Sequence, residues 1–223
     1  MKEKIDIYND IKYRHLYDCV APRPQPSDFA IHFFNEAEGL TFVDIGANDG
    51  VVWSNSLSLE INYGWNGICI EPHPVAYKKL TENRSSKCLN LAVSDVDFEL
   101  DFLVIEGKGE MLSGLIKDFH PDHKKRINEE VARNVDKAYK QKVNSKPLHL
   151  ILQENNISRV NYLSIDTEGS ELSIIKGIDF SKTNIDLISL EVNYEIEPTN
   201  QLMDSVGYKF LNKVCGDAFY AKK

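Results

Sequence analysis

Phe42-Val43-Asp44-Ile45-Gly46-Ala47-Asn48-Asp49-Gly50 is the stretch that decides the fold. Apolar residues lead into an acid and then a tight turn bearing two glycines. Glu71 stands twenty-one residues past Gly50, at the end of a second apolar run, Gly67-Ile68-Cys69-Ile70-Glu71-Pro72. A buried strand, a glycine turn opening a helix, and an acid closing the next strand form the nucleoside-binding half of a doubly wound α/β sheet. In that arrangement Glu71 accepts hydrogen bonds from ribose hydroxyls.

The turn is Gly-x-x-x-Gly, without the third glycine of a pyrophosphate-binding loop. Asp44 and Asp49 flank it. Two carboxylates repel a diphosphate but attract a sulfonium and an ammonium. S-adenosylmethionine (SAM) carries both cations and no phosphate, so the charge pattern favours SAM over NAD. The plainer reading makes Asp44 and Asp49 turn formers and leaves the Glu71 spacing to coincidence. Gly46 and Gly50 serve either reading by admitting positive φ or close backbone approach.

Around this nucleus, 223 residues suit one domain with a full core. Charged residues make up 27% of the chain, as in soluble globular proteins. No apolar run approaches the ~20 residues of a membrane helix, and the polar N-terminus does not read as a signal peptide. A cytoplasmic location and no membrane partner are therefore expected. The net charge of −8 makes nucleic acid an unlikely partner. Cys19, Cys69, Cys88 and Cys215 are far apart in sequence and read as free thiols in a reducing compartment.

The pattern predicts helices over 28–38 (capped by Ser27 or Asp28), 52–62, 74–84, 147–155, 169–177 and 198–206. It predicts strands over 40–45, 67–71, 88–93, 97–105, 160–166 and 186–192, then a terminal hairpin of 208–214 with 217–222. Residues 1–21 read as an arm or short helix, broken by Pro22, Pro24 and Pro26. Two domain-level segments follow, 1–39 packing on the rest and 40–223 as the cofactor domain. Residues 107–146 interrupt the βα rhythm and read as a lid or acceptor-binding insertion, with a polar helix over 121–142. Its 117–146 portion carries a net +4, leaving the rest near −12. A solvated, salt-bridged helix explains this charge, and binding of an anionic acceptor is the sharper alternative. His120-Pro121-Asp122-His123 reads as a proline-started helix with solvated histidines rather than a metal site. Trp53 and Trp65 read as packing residues, Trp53 with a second option of lining the pocket.

Five βα units and a closing hairpin match the sheet of SAM-dependent methyltransferases, and the residues resemble the FkbM family among them. The pieces that carry the likeness are Phe42 to Gly50, Ser54-Asn55, Glu60, Gly64-Trp65-Asn66-Gly67-Ile68-Cys69-Ile70-Glu71-Pro72, Tyr162-Leu163-Ser164-Ile165-Asp166-Thr167-Glu168-Gly169-Ser170-Glu171-Leu172, and Ile175-Lys176-Gly177. The resemblance implies a class I methyltransferase fold: a mostly parallel seven-stranded sheet of order 3-2-1-4-5-7-6, here with a helical insertion between strands 3 and 4. It also implies O-methylation of sugars or glycosylated small molecules.

Ligands of open α/β sheets bind beyond the carboxyl ends of the strands, which assigns roles by position. Gly46, Ala47, Asn48 and Gly50 line the cofactor, Asp44 and Pro72 sit beside it, and Glu71 takes the ribose. Ser94 and Asp95 face the adenine. Ser54 and Asn55 hold the methionine carboxylate or simply cap a helix. A sugar hydroxyl needs a base during transfer. Glu168 is the first choice, with an acidic first helical turn as its plain alternative. Asp166 holds the ammonium or acts as base, and Glu171 pairs or caps farther along the helix. Glu191 and Asn193 orient the acceptor. Asp166 and Glu191 are residue types that allow a divalent metal, though none is expected. The competing functions are a methyltransferase of RNA or another small molecule, and an interaction module that kept the fold without catalysis.

Overall fold

The computed structural model describes residues 25–193, 196–214 and 216–223. The expected arm over 1–21, Pro22 and Pro24, and the thiols of Cys19 and Cys215, lie outside the described residues.

Seven strands form the main sheet: β1 (Thr41–Ile45), β2 (Asn66–Ile70), β3 (Lys87–Leu89), β8 (Val160–Ile165), β9 (Ile185–Glu191), β10 (Tyr208–Val214) and β11 (Asp217–Lys222). Their spatial order is β10-β11-β9-β8-β1-β2-β3. Counted along the chain this is the expected 3-2-1-4-5-7-6. β11 runs antiparallel to both β9 and β10, while the other pairs are parallel. Strand alternation divides the core between the two faces. Val43, Ile45, Ile68 and Leu163 pack on one face, and Phe42, Cys69, Tyr162 and Phe219 on the other. Cys69 and Cys88, distant in sequence, are opposite each other in the β2–β3 register as free thiols.

The helices are α1 (Pro26–Phe33), α2 (Leu57–Tyr63), α3 (Pro74–Asn83), α4 (Pro121–Asn134), α5 (Leu148–Glu154), α6 (Glu171–Gly177) and α7 (Ile196–Ser205). α1 starts earlier than expected because Pro26 takes the first helical position and Gln25 with Asp28 forms a reciprocal cap. α2 starts at Leu57, five residues later than expected. The residues before it are spent on the turn that wraps the end of β1. Trp65 is a packing residue, buried with its indole N–H donating to the Ala37 carbonyl at 2.8 Å.

The insertion differs most from expectation. Its helix ends at Asn134, and Val135–Lys146 forms β7, paired antiparallel with β5 (Glu99–Gly107) along nearly its whole length. With β4 (Ala92–Val93) and β6 (Gly114–Leu115) these make a second sheet of order β4-β7-β5-β6. The helix-forming lysines of 137–142 pointed toward a helix. A period-2 pattern prevails instead: Tyr139, Gln141, Val143 and Ser145 face inward while Lys140, Lys142 and Asn144 face solvent. Val143 joins Phe102, Val104 and Leu115 in a small core, and packing overrides propensity. The predicted strand over 88–93 is split in two because Asn90 turns back to donate to the Glu71 carbonyl. Among the described residues no helix is long and apolar enough to cross a membrane.

Candidate active site

The site forms where β1, β2 and β8 end together. Gly46 and Ala47 donate their N–H groups to the Ile70 carbonyl, and Asp166 donates its N–H to the Ile45 carbonyl at 2.9 Å. This crowding explains Gly46. Its φ is +87°, and a Cβ there would lie 1.7 Å from the Asp166 carbonyl oxygen. The three strand ends meet because this position has no side chain.

Above them opens a cavity of roughly 860 Å³, counting its open mouth. Asp44, Gly46, Ala47, Asn48, Ser54, Asn55, Glu71, Pro72, Asp166 and Glu168 all line it. Trp53 lines it too, at φ +55°. Glu71 Oε2 accepts the Asn48 N–H and Oε1 the His73 N–H, each at 2.8 Å. Burial nonetheless raises its carboxyl to about 7, against the lowering effect of those two N–H groups. Asp166 accepts from the Asn55 amide at 3.3 Å, with the Glu191 carboxyl close enough to act on its titration. Burial and the Glu171 charge raise Asp166 to about 6.

Asp44 turns toward the protein as well as the cavity. It accepts from the Ser56 hydroxyl, and Arg84 lies close enough to oppose the upward push of burial on its pKa. Arg84 is the residue that sequence reasoning missed. It is buried, and its guanidinium donates to Glu60 at 2.9 Å, the Ser56 hydroxyl at 3.0 Å, and the Ser54 hydroxyl and Gly50 carbonyl at 3.3 Å. One cation thus clamps the whole turn from Gly50 to Ser56. Nothing in the sequence marks it, because its partners lie 24 to 34 positions away. Ser54 accepts the Leu57 N–H at 3.1 Å just ahead of α2 and also lines the cavity. Asp49 is a turn former, accepting the N–H groups of Val51 and Val52.

Five expected site residues lie outside the cavity wall. Gly50, at φ +79°, faces Arg84 and Leu80, which a Cβ would meet at 2.6 Å. The Ser94 hydroxyl bonds to the Val96 backbone, and Asp95 pairs with Lys117 at 2.9 Å. Leu91, Ala92 and Val93 form that wall instead, because the chain enters β4 there and joins the second sheet. Glu191 sits behind Asp166, opposite Asp217 in the sheet, and Asn193 is exposed. Among the described residues no group of three or more His, Cys, Asp or Glu could hold a metal ion.

The insertion supplies the outer wall through Phe102, Glu110, Met111, Ser113 and Leu115, none of which sequence reasoning placed there. The alternation of Phe102 with solvent-facing residues on β5 was visible, but not the cavity it would face. Pro121 does start a helix, and His120 is half exposed, but His123 is only 1% exposed, correcting its expected solvation. Its ring packs on Phe119 at 4.8 Å and reaches Glu168 in the cavity wall. Glu168 itself stands at φ +56°, a conformation non-glycine residues seldom adopt. Burial, then the Asp166 charge, raises it to about 7, with Arg126 pulling the other way. Glu171 caps this loop as one of its two readings held, accepting the Thr167 and Gly169 N–H groups.

The family described as "Methyltransferase FkbM domain" matches residues 44–210. No curated protein matches the chain. Solved structures similar to it include a methyltransferase FkbM from Methylobacillus flagellatus KT, at 12% identity and TM-score 0.47, covering 83% of this chain and 44% of that one. This chain therefore spans less than half the length of that relative. A TehB-like SAM-dependent methyltransferase from Corynebacterium glutamicum is 10% identical with TM-score 0.49, covering 95% of both chains. A human methyltransferase 10 domain containing protein is 9% identical with TM-score 0.45, covering 91% of this chain and 83% of that one.

Proposed function

This chain belongs to the FkbM family of methyltransferases, and from that we propose that it transfers a methyl group from SAM to a hydroxyl of a sugar or glycosylated metabolite. One observation carries the cofactor reading. Asp44, Glu71, Glu110, Asp166 and Glu168 line the cavity, and among the described residues no Lys or Arg does. Such a wall disfavours a diphosphate and suits a cationic adenosine derivative.

SAM supplies an already activated methyl on a sulfonium. The remaining work falls to the chain. Glu71 keeps lone pairs for the ribose hydroxyls beyond the two N–H groups it accepts. Asp166, steadied by Asn55, attracts the ammonium. Glu168 takes the acceptor's hydroxyl proton as the methyl passes from sulfur to oxygen, leaving a neutral thioether, an ether and a protonated carboxyl. A group poised near neutrality suits that task.

The acceptor we propose is uncharged. Three of the basic side chains of the insertion are engaged locally: Lys142 with Asp101 at 2.9 Å, Lys137 with Glu106 at 3.8 Å, Lys146 with Glu154 at 2.7 Å. This supports the salt-bridged reading over an anion site and also weighs against RNA. Residues 107–146 act in this reading as the acceptor-side wall. A reducing, cytoplasmic setting is part of the proposal, supported by the free thiols of Cys69 and Cys88.

The test is calorimetry with SAM, S-adenosylhomocysteine and NAD, followed by incubation with methyl-labelled SAM and a panel of glycans and glycosylated metabolites. Binding of both adenosine ligands but not NAD, with label recovered on an acceptor oxygen, is expected. Failure to bind SAM removes the reading. Binding without transfer to any hydroxyl compound favours the interaction module.

A further inference from the structure

We infer that His123 is a positioning residue for Glu168: its Nδ1 accepts a hydrogen bond from the protonated Glu168 carboxyl and so sets the strength of the base. This rests on the reading of Glu168 as the base, and it comes from the way the insertion meets the β8–α6 loop.

His123 lies on α4, and Glu168 lies beyond the end of β8. The His123 Nε2 is 3.2 Å from the Leu112 carbonyl oxygen. A carbonyl only accepts, so Nε2 carries the proton, and the neutral ring presents a bare Nδ1 on its other edge. That edge faces Glu168, with Nδ1 3.7 Å from Oε2. Phe119 packs against the ring and α4 buries it, which lowers its basicity and keeps it neutral. A second tie, from the Ser170 hydroxyl to Asp118 at 2.8 Å, docks the insertion on the same loop.

Glu168 Oε2 is buried and has no hydrogen-bond partner. The Nδ1 separation exceeds hydrogen-bond reach, and two acceptors facing each other have no proton to share while Glu168 is ionised. Once Glu168 takes a proton, its O–H has one acceptor beside it, and the pair closes. Charges face Glu168 from every packed element: Asp166 from β8, Glu171 from α6, Glu191 from β9 and Arg126 from α4, whose Nη1 is 3.6 Å away. Arg126 favours the carboxylate and His123 the carboxyl. Between them they hold the group where it can both take and release a proton.

Two substitutions separate this role from mere anchoring. His123→Gln retains a donor for the Leu112 carbonyl but loses the acceptor at the δ position. His123→Asn places its amide oxygen at the δ position and loses the Leu112 bond. The readout is the titration of the Glu168 carboxyl carbon in 13C-glutamate-labelled protein, assigned by its absence in Glu168→Gln. We expect the Glu168 midpoint to fall by about one unit in His123→Gln, the equivalent of one hydrogen bond to the neutral acid, and to stay within about 0.3 unit in His123→Asn. An unchanged midpoint in His123→Gln, or the reverse order of the two variants, overturns the proposal. Should either variant fail to fold, 15N-histidine spectra of wild type and Glu168→Gln decide: the His123 Nδ1 resonance shifts between them if the groups are coupled and coincides if they are not. SAM calorimetry on the same samples keeps the outcomes apart. Loss of SAM binding in the wild type would remove the methyltransferase reading while leaving the titration result intact.

Discussion

Glu71 Oε2 accepts the backbone N–H of Asn48 at 2.8 Å, so the acid closing the second strand holds the turn that closes the first. The residue proposed to receive the ribose therefore also shapes the loop on the other side of it. Replacing Glu71 by Ala should remove both effects. We expect the dissociation constant for SAM to rise at least tenfold by calorimetry. An affinity equal to wild type would take Glu71 out of the cofactor site.

Gly46→Ala should be worse than a typical glycine substitution. The new Cβ would fall on the Asp166 carbonyl, and φ +87° disfavours any L side chain. A left-handed conformation alone costs about 1–2 kcal/mol, and the clash must part β1 from β8. We expect a loss of stability above that figure in urea denaturation, together with loss of SAM binding. Full retention of both would mean the strand ends are not as tightly joined as described.

Arg84→Met should destabilise the chain by about 3–5 kcal/mol, the range for stripping one partner from a buried ion pair. Glu60 and Asp44 would lose their cation, and the Gly50–Ser56 turn its clamp. Denaturation in urea measures the loss. The double replacement of Arg84 by Met and Glu60 by Gln should recover part of it, since it leaves less unpaired charge.

Stability without ligand should fall as pH rises. The carboxyls of Glu71, Asp166, Glu168 and Asp217 are raised to about 7, 6, 7 and 8. Groups raised on folding bind more protons folded than unfolded, so their contribution is complete below the ordinary carboxylate range and is lost as pH passes their folded values. Glu60 is shifted the other way, but below its ordinary 4.5, outside this window. The melting temperature should therefore be several degrees higher at pH 5 than at pH 8. A cationic ligand favours the ionised cavity, so SAM should bind more tightly at pH 8 than at pH 6, with release of protons measurable by calorimetry in buffers of different ionisation enthalpy. The opposite trends would remove the acidic wall as the source of affinity.

Much of this was legible in the chain because it follows from local periodicity. The runs read as strands over 40–45, 67–71, 160–166 and 186–192 announce the sheet, and strands of a doubly wound sheet open their carboxyl ends on one crevice. That alone brought Asp44, Glu71 and Asp166 into one place. The helix expected over 121–142 overran residues 135–142 because lysine-rich stretches favour helix, whereas the two-residue alternation of Tyr139, Gln141 and Val143 acquires meaning only beside β5. Gly50 was placed among the ligand contacts, since proximity in sequence to the turn looks the same whether a residue faces the cavity or the clamp behind it.

Local spacing marked the strands and the acids that close them, and the resemblance to a known family supplied the order of those strands in the sheet. Packing between distant segments is what sets Arg84 on the turn, turns Ser94 and Asp95 aside for Ala92 and Val93, and brings His123 against Glu168 from the insertion. Contacts between distant segments are set by packing, and nothing in the local pattern of either segment encodes its partner.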